Sequence, residues 1–593
     1  MDRREFLRLL GIGAIASASS GCATSRSGSA TAAKAGLDGM YDAAPFGNAR
    51  LLHFADCHAQ LLPIYFREPN VNLGIADRKG KLPHLVGEEF LKYTGIAPGT
   101  QEAHAFTYLN FEAEARRLGR VGGFAHMAEL VKRMRAEGPG GKALLLDSGD
   151  TWQGSGTALW TRGQDMVGAC NLLGVDIMTG HWEFTYLEDE IRANLEAFKG
   201  EFVAQNVKLT DDAAFFDVPA FDEATGHAFK PYTTRIMGGH KVVIIGQAFP
   251  YTPIANPSRF IPNWTFGIRA EELQALVDQI QDKEDPEALI LLSHNGMDVD
   301  LKLAAVTSGI DFILGGHTHD GMPVPSIVRN AAGGRTVVTN SGSNGKFLAV
   351  LDLNLGLGRV RDFRYRLLPI FSDLLPEDAE MAGYIGQVRA PYLDKLQETL
   401  AVSESVLYRR GNFSGTFDQV ICDGMRSVGD AQIALSPGFR WGTSVLPGDP
   451  ITMDRLLDQT CITYPETYVR DMTGEELKLI LEDVCDNLFN PDPFYQQGGD
   501  MVRVGGMNYV CDPLAQMGSR ISEMRLDSGE LIDAAKNYKV TGWATVGSEA
   551  PGAPVWEVVA EYLRSEKTIR IDSVNSPVLK NVAGNPGISS YSS

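Results

Sequence analysis

Between about residue 50 and residue 368, short apolar runs alternate with longer stretches in which apolar residues recur every three or four positions. The short runs predict strands at residues 51–55, 143–146, 176–178, 242–245, 289–292 and 311–314. Residues 124–135 and 270–281 have the helical period. Such alternation of strands and helices is typical of an α/β domain.

The pattern also divides the chain into parts. We predict a first domain at residues 35–370, with an insertion at about 61–118, where Pro, Asn and mixed charges break the rhythm. Residues 371–402 are charged and helical in pattern, which predicts a linker helix. A second α/β domain follows at residues 403–593, and its last part is rich in Pro, Gly, Asn and Ser, which is typical of extended chain.

The first 34 residues are typical of an export signal and a disordered lead. Arg3 and Arg4 precede a short apolar stretch at residues 9–18, which is too short to span a bilayer. Paired arginines followed by Phe and Leu resemble the twin-arginine signal, so we expect export of the folded protein to the periplasm. Small residues at 30–32 favour cleavage there, and lipidation of Cys22 is the alternative. No later stretch is apolar enough for a transmembrane anchor.

The composition narrows the function classes. A formal net charge of −20 over 593 residues disfavours nucleic acid as a partner, because an acidic surface repels phosphates. The seven cysteines are scattered without a CxxC pair, which argues against a zinc ribbon and against a thioredoxin-type site. In an oxidising compartment a disulfide is an open alternative to buried thiols, but the sequence does not pair them.

Five polar clusters carry the candidate chemistry, and each follows an apolar run. They are Asp56-Cys57-His58, Gly149-Asp150-Thr151-Trp152-Gln153, Gly180-His181-Trp182-Glu183, Ser293-His294-Asn295-Gly296 and Gly315-Gly316-His317-Thr318-His319. Ligands of open α/β sheets lie beyond the carboxyl ends of the strands, so the five clusters are expected to converge.

The residue types in these clusters predict a pair of divalent metal ions. Carboxylates and imidazoles suit Zn, Mn or Fe, and two metals need about seven or eight ligand contacts with one carboxylate shared. Asp150 is the natural bridge, because its cluster has no histidine beside it. Such a pair of metals activates water for hydrolysis. We interpret the remaining histidines as structural; they are His53, His84, His104, His126, His227 and His240.

In this order the clusters resemble the metallophosphoesterase superfamily, and specifically its 5′-nucleotidase branch. The resemblance implies an N-terminal four-layer αββα sandwich that holds two metals and a C-terminal α/β substrate domain. By motif, one metal would be held by Asp56, His58, Asp150 and His319, and the other by Asp150, His181, His294 and His317. Arg440, in Ala434-Leu435-Ser436-Pro437-Gly438-Phe439-Arg440, would bind substrate.

Two departures from the nucleotidase pattern matter. His181 replaces a ligand Asn, while Trp182 and Thr185 replace the catalytic His and its Asp partner, so the general acid is missing. The aromatic pair that grips a nucleobase is also not evident, although Tyr464 falls near one of its positions and is our candidate for substrate contact. Arg409 and Arg410 lie near further substrate arginines of the branch, but we interpret them as a solvated surface.

The departures themselves resemble the thiosulfohydrolase family of the bacterial sulfur-oxidation (Sox) system. That resemblance implies two Mn²⁺ ions and a sulfur carrier protein, of the SoxYZ type, as partner. The reaction would release sulfate from a cysteine S-thiosulfonate on this carrier. Asp150, Trp182 and Arg440 would then be the catalytic residues, with Trp182 as a wall of the pocket or, equally, as core packing.

Two other functions stay open at this point. A nucleotidase or other phosphoesterase with an altered acid would need base-stacking aromatic residues in its cleft. A non-catalytic binding protein could keep the fold, but every inferred metal position retains a competent ligand, which argues against it.

Overall fold

The computed structural model describes residues 39–589. The predicted export signal lies outside them. Within this part of the chain, no helix has the length and apolar character that a membrane crossing would need.

The strands run from the first described segments to the C-terminal region. They are β1 (Ala49–Phe54), β2 (Leu144–Asp147), β3 (Ile177–Met178), β4 (Glu201–Phe202), β5 (Lys208–Leu209), β6 (Tyr232–Met237), β7 (His240–Gln247), β8 (Trp264–Thr265), β9 (Ala288–Ser293), β10 (Phe312–Gly315), β11 (Ser326–Arg329), β12 (Arg335–Asn340), β13 (Phe347–Gly356), β14 (Arg359–Pro369), β15 (Thr399–Ser403), β16 (Ile433–Gly438), β17 (Pro450–Thr452), β18 (Thr467–Thr473), β19 (Asp500–Gly505), β20 (Met507–Cys511), β21 (Ile521–Leu526), β22 (Asn537–Trp543), β23 (Thr568–Ile569) and β24 (Val578–Leu579).

The α-helices are distributed over the same range. They are α1 (Gly87–Thr94), α2 (Gln101–Phe106), α3 (Phe111–Leu118), α4 (Phe124–Ala136), α5 (Gly156–Thr161), α6 (Gln164–Leu173), α7 (Glu188–Ala197), α8 (Asp211–Phe215), α9 (Thr252–Ala255), α10 (Ala270–Glu284), α11 (Met297–Val306), α12 (Ala379–Arg389), α13 (Leu393–Leu396), α14 (Thr416–Gly429), α15 (Met453–Thr460), α16 (Gly474–Phe489) and α17 (Val555–Glu566).

Two six-stranded sheets face each other in the N-terminal part. Their strand orders are β14-β13-β1-β2-β3-β4 and β11-β12-β10-β9-β7-β6. Neighbouring central strands are parallel and buried on both faces, which explains why β9 reads as a continuous apolar run. Apolar residues of both sheets share one core, α4, α6 and α12 cover the outside of the first sheet, and α10 and α11 cover the second. This four-layer αββα sandwich confirms the predicted fold class.

The C-terminal part contains a four-stranded sheet of order β18-β22-β16-β19 and two three-stranded sheets, β17-β15-β23 and β21-β20-β24. Helix α14 packs on β16 and β19, and α17 packs on α14. The predicted second α/β unit is therefore present, as the substrate-domain resemblance implies.

The predicted linker helix at residues 371–402 is interrupted. Helix α12 ends at Arg389, a 3-10 turn spans Ala390–Tyr392, and α13 follows. Pro391 lies in this turn, and a proline inside a helix removes one backbone hydrogen bond and clashes with the preceding turn. Residues 399–403 then form a strand rather than helix.

The insertion at 61–118 carries the three short helices α1–α3 and is fastened by the C-terminal tail. Ile588 forms an antiparallel bridge with Val71, and the Asn585 side-chain amide donates to the carbonyl of Gly74 at 2.8 Å. The tail, which the sequence predicted as extended, therefore closes the structure around the insertion.

Candidate metal centre

All five predicted clusters begin within three residues of a strand end. Asp56 and His58 follow β1, Asp150 follows β2, His181 follows β3, His294 follows β9, and His317 and His319 follow β10. Strands β1, β2 and β3 are parallel neighbours in one sheet, and β9 and β10 are parallel neighbours in the other. The carboxyl ends of the two facing sheets therefore deliver the side chains to one place.

Most of these residues have a strained backbone. Asp56, His58, Asp150, His317 and His319 have φ between 46° and 74°, a left-handed region that residues other than glycine rarely occupy. Such strain costs on the order of 1–3 kcal/mol per residue and persists only where the surrounding structure enforces it. Concentration of this strain at one site indicates that the site is functional.

The structure brings together two groups of ligands that share Asp150. They are Asp56, His58, Asp150 and His319, and Asp150, His181, His294 and His317, and within each group the donor atoms lie within 4.8 Å of one another. The seven side chains are at most 8% exposed. The two groups are those that the nucleotidase resemblance implied, which fits a dinuclear metal centre.

The contacts inside the first group are close. The Nε2 atoms of His58 and His319 are 3.0 Å apart, and His319 Nε2 is 3.4 Å from Asp56 Oδ1. Burial lowers the pKa of His58 to about 4, and burial likewise holds the pKa of His319 well below its usual value. Neutral imidazoles are the form that binds metal, so this environment suits an ion.

In the second group, Asp150 Oδ2 lies 3.2 Å from His181 Nδ1 and 3.0 Å from His294 Nε2. His294 Nδ1 donates to the carbonyl of Ser148 at 2.6 Å, which leaves Nε2 to face the centre, an arrangement common for metal-binding histidines. The Nε2 atoms of His181 and His317 are buried without a hydrogen-bond partner. These donors fit a divalent ion.

Attraction between the carboxylates and the neighbouring histidine rings dominates the electrostatics around Asp150. Burial alone lowers the pKa of His294, but the charges of Asp150 and Asp56 outweigh burial and raise it to about 10. The pKa of Asp150 is conversely lowered, because the charges of His181 and His294 outweigh its burial. The bridging carboxylate is therefore ionised, as a shared ligand must be.

Glu183 holds two of the clusters in position. Its buried carboxylate accepts hydrogen bonds from the backbone N–H groups of Asp150, Thr151, Trp152 and His181, at 2.7 to 3.1 Å. One carboxylate thus fixes the loops that follow β2 and β3. The sequence pattern had marked Glu183 only as part of a cluster.

The N-terminal and C-terminal parts meet around this centre. Gln60 donates to Asp458 at 3.1 Å, Gln153 donates to the carbonyl of Cys461 at 2.6 Å, and the Thr185 and Thr463 hydroxyls are 2.7 Å apart. Gln60 lies two residues after the first cluster and Gln153 ends the second, so the loops that carry ligands also form the interface.

A cavity opens beside the metal ligand His317, lined by the insertion, the loop after β9 and the C-terminal part. Arg440 lies in its wall, where Nη2 donates to the carbonyl of Gly499 at 2.8 Å and Nε lies 3.3 Å from Asp500. Its Nη1 atom is buried without a hydrogen-bond partner. The arginine therefore lines a cavity between the two parts, beside the metal centre, and keeps one donor that no protein group accepts.

The sequence interpretation of Arg409 and Arg410 as a solvated surface is wrong. They are 2% and 6% exposed. Arg409 pairs with Asp418 at 2.7 Å, whereas Arg410 lines the cavity with Arg440. Two consecutive arginines carried no signal of burial, because Arg409 is enclosed by the carbonyls of Pro437 and Gln459 from distant segments as well as by the nearby Asp418.

Trp182 and Tyr464 lie in an aromatic cluster outside that cavity. Trp182 packs edge-on against Trp441 at 5.0 Å and stacks with Tyr464 at 6.4 Å, while Trp441 lies 5.2 Å from the His58 ring. The Tyr464 hydroxyl donates to the carbonyl of Ala255. Trp182 therefore packs in this cluster beside the metal centre, because its ring lies 5.3 Å from that of the metal ligand His181. Trp441, which the sequence interpretation missed, lies between Trp182 and the metal ligand His58.

Among the histidines interpreted as structural, His84 is distinctive. It lines the cavity, and its Nε2 lies 2.9 Å from Asp298 Oδ2. His53, His126 and His240 contact Ser148, the carbonyl of Leu375 and Glu287 respectively, as structural residues do.

Comparison with known proteins agrees with this geometry. The family described as 5′-nucleotidase, C-terminal domain, matches residues 398–557. Among curated proteins, the 5′-nucleotidase of Rattus norvegicus is 28% identical, over 71% of this chain and 76% of its own. The trifunctional nucleotide phosphoesterase YfkN of Bacillus subtilis is 26% identical over 73% of this chain, which spans only about a third (32%) of that longer protein.

A solved structure is more similar. The sulfate thiohydrolase SoxB of Thermus thermophilus superposes with a TM-score of 0.84 at 37% identity, covering 91% of this chain and 98% of its own. Fold and site together define a metallophosphoesterase-type hydrolase of the 5′-nucleotidase branch with a dinuclear metal centre. Within that branch, the chain belongs to the SoxB family.

Proposed function

We propose that this protein is a dimanganese thiosulfohydrolase that releases sulfate from a cysteine S-thiosulfonate on a sulfur carrier protein. The proposal rests on the family and, above all, on Trp182. An indole stands beside a complete set of metal ligands at the position where the nucleotidases of the same branch carry their acid. Since an indole does not donate a proton to a leaving group, a leaving group that needs none is favoured.

The ligand groups around Asp150 would hold the two ions. When bound, two divalent ions supply Lewis-acid activation of water and neutralise charge on the substrate. The Asp and His donors suit Mn²⁺, although they would also accept Zn or Fe. Glu183 keeps the shared ligand in place through its four backbone contacts.

Arg440 would orient the anionic end of the substrate. Its guanidinium is held by Asp500 and Gly499, so its free Nη1 donor is pre-positioned in the cavity wall. A planar guanidinium binds the oxygens of an oxyanion such as a sulfonate well. Arg410, on the same cavity, would add positive charge and attract the anion.

The proposed hydrolysis needs no side-chain acid. One water adds its oxygen to the sulfonate sulfur, the bond between the sulfonate and the sulfane sulfur breaks, and the electron pair stays on the sulfane sulfur. The carrier keeps a persulfide, a far weaker base than the alkoxide of a ribose, while the protons of the water pass to solvent and sulfate departs.

The carrier would reach the cavity with a slender peptide arm, because the cavity is small and lies between the two parts of the chain. An uncharged arm would not be repelled by the acidic protein, whose net charge is −20. The SoxYZ-type carrier and the protein would meet in the periplasm.

The deciding experiment compares the Mn²⁺-loaded protein on a cysteine S-thiosulfonate peptide and on a nucleoside monophosphate, with sulfate and phosphate measured separately. We expect sulfate release and little phosphate release. The metal-free Asp150→Ala variant is the control for contaminating activity. Fast phosphate release without sulfate would restore the nucleotidase alternative, and no turnover of either substrate by the loaded protein would favour a binding protein.

A matched double variant tests the role assigned to Trp182. Trp182→His with Thr185→Asp restores the residue types of the nucleotidases, and phosphatase activity is expected to rise if the missing acid sets the preference. Thr185→Asp alone is the control, because it disturbs the same contact with Thr463 without adding an imidazole. Equal phosphatase activity in the two variants would remove this explanation.

A further inference from the structure

Two buried cysteines of the C-terminal part are in contact. Cys485 lies near the end of α16 and Cys511 is the last residue of β20, and their Sγ atoms are 3.7 Å apart. Both are 0% exposed. A shift of about 1.7 Å would bring the sulfurs to the ~2.05 Å of a disulfide.

A metal site does not explain this pair. Two sulfurs alone are too few for a structural ion, which takes four ligands. In the described part of the chain, the groups of three or more potential ligands are the two around Asp150. The remaining chemistry of two adjacent thiols is oxidation.

Cys485 and Cys511 lie on either side of a segment, residues 486–510, that lines part of the cavity; we call this segment the cavity roof. They are 26 positions apart, and the chain between them contributes Asn487, Gln496, Gly498 and Asp500 to the cavity wall. Gly498 lies against the metal ligand His317: a Cβ at this glycine would come within 2.0 Å of His317 Nε2. Asp500 in turn holds Arg440.

We propose that Cys485 and Cys511 form a disulfide that closes the base of the 486–510 segment and thereby holds the cavity roof over the metal centre. The oxidant is a protein or small-molecule disulfide. One thiolate attacks it to form a mixed disulfide, the second thiolate displaces the oxidant's remaining sulfur, and the pair loses two protons and two electrons. The oxidant leaves as two thiols.

Burial controls the rate of this exchange. The hydrogen bond to Cys485, together with burial, holds the pKa of Cys511 far above its usual value. Because the thiolate is the reactive form, exchange in the folded protein must wait for local opening. The same burial shields the finished disulfide from reductants, so it acts as a structural bond.

The first test counts thiols. The mature protein, purified without reductant and incubated with oxidised glutathione in a sub-denaturing concentration of urea that permits local opening, is unfolded in iodoacetamide and digested. We expect a peptide pair joined through Cys485 and Cys511 that disappears after dithiothreitol, while Cys422 is alkylated in both samples. Alkylation of both Cys485 and Cys511 in the oxidised sample would overturn the proposal.

The second test measures what the bond does. Closing a loop of this length is expected to raise the apparent Tm by about 5 °C and to slow hydrogen–deuterium exchange in the 486–510 segment relative to the reduced protein. Cys511→Ala should abolish this redox dependence, whereas Cys422→Ala, at another buried cysteine, should keep it. If a disulfide forms but exchange in the segment is unchanged, the roof-holding role is wrong. Neither readout depends on the substrate.

Discussion

Asp150 is the residue on which the metal centre depends, because both ligand groups include it. Asp150→Ala removes the shared carboxylate and leaves His181, His294 and His58 without their common acidic neighbour. We expect loss of both ions, measured by elemental analysis of the purified variant. His104→Ala, at a buried histidine that belongs to neither ligand group, is the control. Retention of two tightly bound ions by Asp150→Ala would show that the ligand assignment is mistaken.

We expect Arg440 to act on the substrate rather than on the metals. Arg440→Ala removes the free Nη1 donor, and loss of one pre-positioned donor typically lowers kcat by about 10²–10³-fold. Asp500 keeps a partner in Arg503 at 3.3 Å, so we expect folding and metal content to be unchanged. Arg440→Lys keeps the charge without the planar fork and should recover only part of the rate. Full activity of the alanine variant would rule out this role.

The residues that the sequence named as candidate ligands come together in the structure, because their types and strand-end positions are local properties. The sequence did not predict the left-handed backbone of Asp56 or His317, since non-glycine residues carry no mark of such strain. The sequence likewise did not indicate that Arg410 is buried or that Trp441 packs against His58. Those contacts depend on the approach of segments that are distant in the sequence.

At the scale of elements, the loop of Gly498 and Gly499 before β19 is where the C-terminal part covers the metal centre, and substitutions there can test this contact. Gly498→Ala would place a Cβ 2.0 Å from His317 Nε2, so either the loop or the metal ligand must move. We expect weaker binding of the ion that His317 holds and lower activity, measured by metal titration and turnover.

Gly499→Ala is the matched control for this loop. Gly499 also has a positive φ, 77° against 83° for Gly498, but its Cβ would meet only the carbonyl of Gly438 at 3.7 Å. The control therefore carries the backbone strain of a left-handed alanine, about 1–2 kcal/mol, without the clash. Equal metal affinity in the two variants would mean that the loop does not press on His317.

The elements were predicted unevenly. Residues 289–292 and 311–314 were recognised as strands because both faces of β9 and β10 are buried, and every residue of the two runs except Asp311 is apolar. The linker was predicted as one helix because its charge pattern is helical on both sides of Pro391. The helices α1–α3 of the insertion are short, and tertiary contacts rather than a long periodic pattern hold them.

For the whole molecule, the twin-arginine pair predicts that export follows folding. Changing Arg3 and Arg4 to Lys should leave precursor in the cytoplasm, because the receptor reads the arginine pair. Cell fractionation with antibody detection measures how much precursor stays in the cytoplasm and how much mature protein reaches the periplasm. Arg8→Lys is the control, since it makes the same chemical change outside the pair. Normal periplasmic accumulation of the paired variant would contradict this route.

The tail that fastens the insertion has a consequence for the order of assembly. Asn585 and Gly74 are 511 positions apart, and the segment beside Gly74 forms part of the cavity wall. At a synthesis rate of ~5–20 residues per second, on the order of 25–100 s separate the appearance of the two contacts at the ribosome. The wall is therefore among the last features to be completed. The last metal ligand, His319, is also made well before Asn585, so the complete set of ligands would exist before the wall closes. We therefore expect metal supply, rather than affinity alone, to influence which ion is enclosed.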